Sequence, residues 1–208
     1  MLLAFDTATH AVTVALHDGM SVVAESTTVD PLRQGELLAP GIRQVLSEAG
    51  VTAADLTRIV VGVGPGPFTG LRVGVVTAKT MAATLGIPVA GVCTLDVIAA
   101  AVQAPSPFTV ATDARRKEVY WARYGSPTVR LTPPAVGRPA DVATEEPVAG
   151  QGARIYPEAF PRAVEPEFPS AGVLARIAAG GDTQPLAAEP LYLRRPHVAA
   201  PGAPKRVS

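Results

Sequence analysis

The stretch from Gly62 to Gly74, GVGPGPFTGLRVG, constrains this chain more than any other. It continues the apolar run Ile59 to Val63, which reads as a buried strand. It then leads into a helix over about Leu71 to Leu85 that Gly86 and Pro88 end. Such a junction looks like a phosphate loop, which works by presenting several backbone N–H groups and a helix start to an anion. Pro65 and Pro67 each delete one donor. A P-loop needs GxxxxGK[ST], but Leu71 follows Gly70; the GxGxxG pattern fails because Thr69 stands where its last glycine should be. What the glycines and prolines specify is a sharp, stiff turn between strand and helix, with Phe68 as its plug.

The helix that follows carries only Arg72 and Lys79 as charges, on one side. Leu71, Val75, Ala78 and Ala82 form one apolar stripe, and Val73, Met81 and Leu85 lie around the other flank. An amphipathic helix needs one apolar face, so the surplus favours a second packing partner; burial inside its own domain is the alternative. Gly74, Ala78 and Ala82 permit close helix approach in either case.

Upstream, LLAFD, VTVALH and SVVAES read as strands, with a hairpin at Asp18-Gly19. QGELLAPGIRQVLSEAG reads as a helix with Leu38, Ile42, Val45 and Ala49 on one face, starting late or bending at Pro40. Downstream, VAGV is a strand, and Thr94 is the expected cap of a helix through about Gln103. The order β-β-β-α-β-α-β-α predicts an antiparallel meander joined to parallel strands by helical crossovers. QAPSP (103–107) reads as a linker, after which FTVATD and EVYWARY restart the strand series. We therefore expect a first lobe over residues 1–104, a second over 107–195 with a helix at SAGVLARIAA, and a disordered tail over 196–208.

Charge and ligand chemistry narrow the function. Lysine plus arginine equals aspartate plus glutamate, 18 against 18, so nothing indicates a chain that grips nucleic acid alone. The histidines, His10, His17 and His197, have neither HxxxH nor HExxH spacing, so no metal site is expected, and no cofactor. A lone cysteine, Cys93, excludes an internal disulfide. With no basic leader and no membrane-length apolar run, the expected compartment is the cytoplasm.

Several motifs in one order resemble the TsaB (YeaZ) family of tRNA threonylcarbamoyladenosine biosynthesis proteins. LLAFDTATHAVTVAL resembles its opening D-T-S strand and hairpin, GELLAPGIRQVL its first helix, and GVGPGPFTGLRVG its most specific motif, G-P-G-S-F-T-G-L-R-[IV]-G. GIPVAGVCTLD, TDARRKEVYWARY and EPLYLR resemble later motifs, whereas residues 126 to 185 carry little of the likeness. The chain departs at Ala8 and Pro67, where the family pattern has serine, and at Gln34-Gly35-Glu36, where it has H-S-E.

The resemblance implies an α/β, two-lobed, actin-like (ribonuclease H-type) fold with mixed sheets flanked by helices. It implies a subunit, non-catalytic by itself, that pairs through its first two helices with TsaD, which carries the metal histidines and modifies tRNA adenosine; TsaE joins the assembly. Alone, the same surface would pair with itself, and tRNA would be met only through the complex. The implied partner face is Leu38, Ile42, Val45, Leu71, Val75, Ala78 and Ala82. Its angle would be set by the loop residues Gly64, Pro65, Gly66, Phe68, Thr69, Gly70 and Arg72.

Two other functions compete. A nucleotide-dependent kinase or ATPase of the actin-like superfamily would use Asp6 and Asp113, although Arg115 stands where the second phosphate loop needs glycine, and Asp6 also reads as a turn cap. A tRNA-binding module would use Arg115, Arg116 and Lys117 with Tyr120 and Trp121 nearby; the same cluster also reads as a solvated turn before a core strand, or as a contact for TsaE.

Overall fold

A computed structural model describes residues 1–181 and 185–194. The expected tail at 196–208 lies outside the described residues. Strands β1 (Leu2–Asp6), β2 (Ala11–His17) and β3 (Val22–Val29) form the antiparallel meander. Helix α1 (Gln34–Glu48) leads to β4 (Arg58–Gly62), and α2 (Phe68–Leu85) leads to β5 (Val89–Val92). Both strands run parallel to β1, giving a sheet of order β3-β2-β1-β4-β5.

After α3 (Thr94–Ala99) the pattern repeats. β6 (Phe108–Asp113) pairs antiparallel with β7 (Val119–Ser126), which in turn pairs with the short β8 (Val129–Arg130) and β9 (Ala135–Gly137). β10 (Val148–Ala149), α4 (Gln151–Ile155) and β11 (Ala163–Val164) follow, with both strands parallel to β6. The second sheet, β8-β7-β6-β10-β11, has the strand order of the first.

Strand alternation assigns the faces of the first sheet. Leu3, Phe5, Ile59 and Val61 point to the side covered by α1 and α2, while Leu2, Ala4 and Val60 point to the other. That second face is closed by Leu174, Ala175 and Ile177 of α5 (Ala171–Gly180). α5, which falls within the second lobe expected over 107–195, thus packs on the first sheet, whose bare face needs an apolar cover. Conversely, Leu95, Ile98 and Ala99 of α3 join the core of the second sheet with Phe108, Val110 and Tyr124. Tyr124 Oη donates to Asp96 Oδ1 at 2.8 Å, and Arg130 Nη1 reaches both Asp96 oxygens at 2.9 Å, bracing α3 to that sheet.

Local expectations fare unevenly. Pro40 neither delays nor ends α1; it lies on the exposed side, where the missing N–H bond costs least. α2 begins three residues before the expected Leu71. α3 stops at Ala99 rather than Gln103, and Cys93, not Thr94, occupies its N-cap position.

Candidate functional site

Asp6 ends β1 with no solvent exposure. Its Oδ1 accepts the Ala8 N–H at 2.6 Å, the turn-cap geometry expected of an aspartate, and its Oδ2 accepts from Thr94 Oγ1 at 2.6 Å. Thr94 Oγ1 itself accepts the Gly64 N–H at 3.1 Å, and the Thr94 N–H returns to the Gly64 carbonyl at 2.8 Å. Burial pushes the Asp6 carboxyl above its ordinary range, and the two hydrogen bonds oppose that shift. Sequence reasoning assigned Thr94 to a helix cap and missed this role; no local pattern marks a contact between residues so distant in the chain.

The glycine-rich loop wraps the same turn. A Cβ on Gly62 would stand 1.8 Å from Asp6 Oδ2, one on Gly66 would meet the Ala8 carbonyl oxygen at 2.2 Å, and one on Gly70 the Thr7 carbonyl oxygen at 2.3 Å. Thr7 Oγ1 fastens the wrap by donating to the Gly70 carbonyl at 2.7 Å. The absent side chains therefore make room for the chain's own first turn. Phe68 is no interior plug: it is 44% exposed and stacks on Tyr192 with ring centroids 5.2 Å apart, beneath the Arg72 guanidinium.

Tyr192 belongs to a returning segment, 185–194, that spans both lobes. Leu186 bridges Gly91, and the Leu191 N–H donates to the Val63 carbonyl at 2.8 Å. Arg194 Nη1 donates to the Ala114 carbonyl at 2.9 Å and its guanidinium pairs with Glu118. EPLYLR was the only sequence signal for this strap.

Between the lobes lies a groove of about 470 Å³ lined by Gly66, Phe68, Arg115, Arg116, Tyr120 and Arg194, among others. A smaller recess of about 210 Å³, sharing Pro67 and Arg115 with it, continues toward Leu32 and Thr69. Asp113, the second acidic candidate, sits at the end of β6, where its Oδ1 accepts the Arg115 N–H at 2.8 Å. It is 3.9 Å from His10 Nε2 and 3.7 Å from Arg115 Nε. His10 Nδ1 meets Gln151 Nε2 at 2.9 Å, joining the first turn of one lobe to α4 of the other. Arg115, Arg116 and Lys117 all adopt left-handed backbone, φ 58°, 57° and 60°. Each such non-glycine residue costs ~1–2 kcal/mol.

The seven residues expected to face a partner are all buried at their own sheet: Leu38, Ile42 and Val45 of α1, and Leu71, Val75, Ala78 and Ala82 of α2. As an outer surface they are corrected: their stripe faces the core, which needs its large and small residues for packing. Gly64, Pro65, Gly66 and Gly70 are buried as well, while Phe68, Thr69 and Arg72 are exposed. The surplus apolar character lies elsewhere, on Val76, 56% exposed, with Ala83 and the half-buried Val73 and Met81 along α2. Ala39 and Pro40 lie on the exposed side of neighbouring α1.

Two sheets of one strand order, each a meander extended by parallel strands, with a cleft between them, define a two-lobed protein of the actin-like class. A family model described as "TsaD: tRNA N6-adenosine threonylcarbamoyltransferase" matches residues 34–188. An uncharacterized protein of Mycobacterium tuberculosis is 46% identical over 94% of this chain and 92% of its own length. The tRNA threonylcarbamoyladenosine biosynthesis protein TsaB of Escherichia coli is 36% identical over 59% of this chain and 54% of its own. The solved structure of YeaZ from Pseudomonas aeruginosa superposes with a TM-score of 0.76 at 32% identity, covering 92% of this chain and 99% of that one. The chain belongs to the TsaB (YeaZ) branch of this family.

Proposed function

We propose that this protein acts in tRNA threonylcarbamoyladenosine biosynthesis as the subunit that binds and activates TsaD, the threonylcarbamoyl transferase, and is not itself a catalyst. Membership of the TsaB branch carries the reading. The outward face of α2 supports it, since Val76, Thr80 and Ala83 are exposed, uncharged and small enough for another helix to approach. Docking there would favour the active arrangement of the partner by differential contact. TsaE would join the assembly, and a homodimer through the same face would form in the absence of TsaD.

Light scattering on the chain alone and mixed with TsaD from the same organism tests this. A homodimer that gives way to a mixed complex is the expected result; a chain indifferent to TsaD sinks the proposal.

The competing kinase or ATPase reading needs Asp6 free to organise a nucleotide. Both Asp6 oxygens are engaged within the chain and the glycine loop fills the space beside them, which favours the subunit reading. Calorimetric titration with ATP and magnesium separates the two, micromolar binding by the chain alone favouring the enzyme.

A further inference from the structure

The groove between the lobes has a chemistry that the docked helix face does not use. Its wall from the second lobe holds Arg115 and Arg116 of the Arg115–Lys117 turn, and its other wall carries Phe68 and Tyr192, exposed by 44% and 43%. Arg115 is drawn to Asp113 and Arg194 to Glu118, but Arg116 and Lys117 take part in no ion pair among the described residues. Among the described residues, no carboxylate lines the groove itself. The turn holds three cationic side chains in left-handed backbone where glycine would fit without strain. Strain kept at such a place points to a use for those side chains.

We infer that this groove is a contact site for single-stranded RNA, in which a backbone phosphate lies at Arg116 and an unpaired base stacks on the exposed Tyr192 ring. RNA fits better than an acidic peptide because the groove offers aromatic surface beside cations, and stacking on aromatic side chains is how sequence-tolerant single-strand sites gain affinity. The chain is neutral overall, so binding by it alone is weak and is read at low salt. The inference rests on the tRNA pathway proposed above, but not on the docking of a partner.

Fluorescence anisotropy of a labelled single-stranded RNA of about a dozen nucleotides, titrated with the full chain, tests it. Arg116→Glu and Arg116→Gly are each expected to weaken binding by roughly tenfold and to flatten the dependence of log affinity on log salt by about 0.7, one phosphate's share for a single strand. Tyr192→Ala is expected to weaken it by roughly tenfold, while Arg176→Glu, at an exposed position of α5, leaves it unchanged. Thermal melts confirm that each variant folds. Because glycine relaxes the turn, loss of affinity in Arg116→Gly separates a phosphate contact from a structural role. No binding by the parent chain at low salt overturns the inference. So does an equal loss in Arg176→Glu, equal competition by oligoglutamate, or equally tight binding of a free mononucleotide. Co-elution with TsaD, measured separately, stands or falls on its own.

Discussion

Asp6 and Thr94 lie 88 residues apart in the chain, and Thr94 Oγ1 donates to Asp6 Oδ2 at 2.6 Å in the closed interior between the first strand and the third helix. That bond, with the Gly64 N–H bond to the same hydroxyl, ties β1, the glycine loop and α3 into one knot. Thr94→Val removes both and leaves the Gly64 N–H and Asp6 Oδ2 unsatisfied. The expected loss is about 2–3 kcal/mol of folding stability, read from urea unfolding with the slope unchanged.

The same knot sets a pH dependence. Burial raises the Asp6 carboxyl in the folded chain above its unfolded value near 3.8. Folding therefore favours the protonated form, and this contribution is complete below the unfolded pKa and declines as pH rises through the folded one. Asp6→Asn is expected to flatten the stability profile from about pH 4 upward. A variant profile parallel to the parent's would refute this.

His10 has the opposite sign. Burial, aided by the Arg115 charge, lowers its pKa from the ordinary 6.5. The unfolded chain then binds its proton first, so the contribution is complete above pH 6.5 and falls away as pH drops through the folded pKa. Measured between pH 7 and 5 or so, the parent should lose stability more steeply than His10→Gln.

The glycines before and after α2 divide by what surrounds them. Gly66→Ala drives a Cβ into the Ala8 carbonyl and is expected to cost about 3 kcal/mol or more. Gly86→Ala meets nothing within 4 Å and carries only the strain of φ +67°, about 1 kcal/mol. Similar thermal shifts for the two would show that the loop does not pack as described.

On α2, opposite faces give opposite outcomes. Val76→Glu, at an exposed site, should hold folding stability within about 0.5 kcal/mol and still abolish co-elution with TsaD. Ala78→Glu, at a residue the family resemblance implied for the partner face, instead buries a charge in the core and should fail to fold. Retained co-elution of Val76→Glu would remove this face from the interface.

What the sequence determined by itself was local. The alternation of LLAFD and VTVALH, the Asp18-Gly19 hairpin and the strand-to-helix junction at Gly62 to Gly74 follow from side-chain period and backbone freedom, which neighbours in the chain suffice to express. The motif order was enough to recognise the family. Tertiary structure decided what those motifs touch. The α2 stripe looked available for a partner because periodicity reports how apolar a face is, and not what covers it; the sheet covers it. Thr94 at Asp6, Gln151 at His10 and the strap that sets Tyr192 on Phe68 all join residues distant along the chain. Such pairs are fixed by how two sheets and their exchanged helices close on each other, a relation that no window of sequence contains.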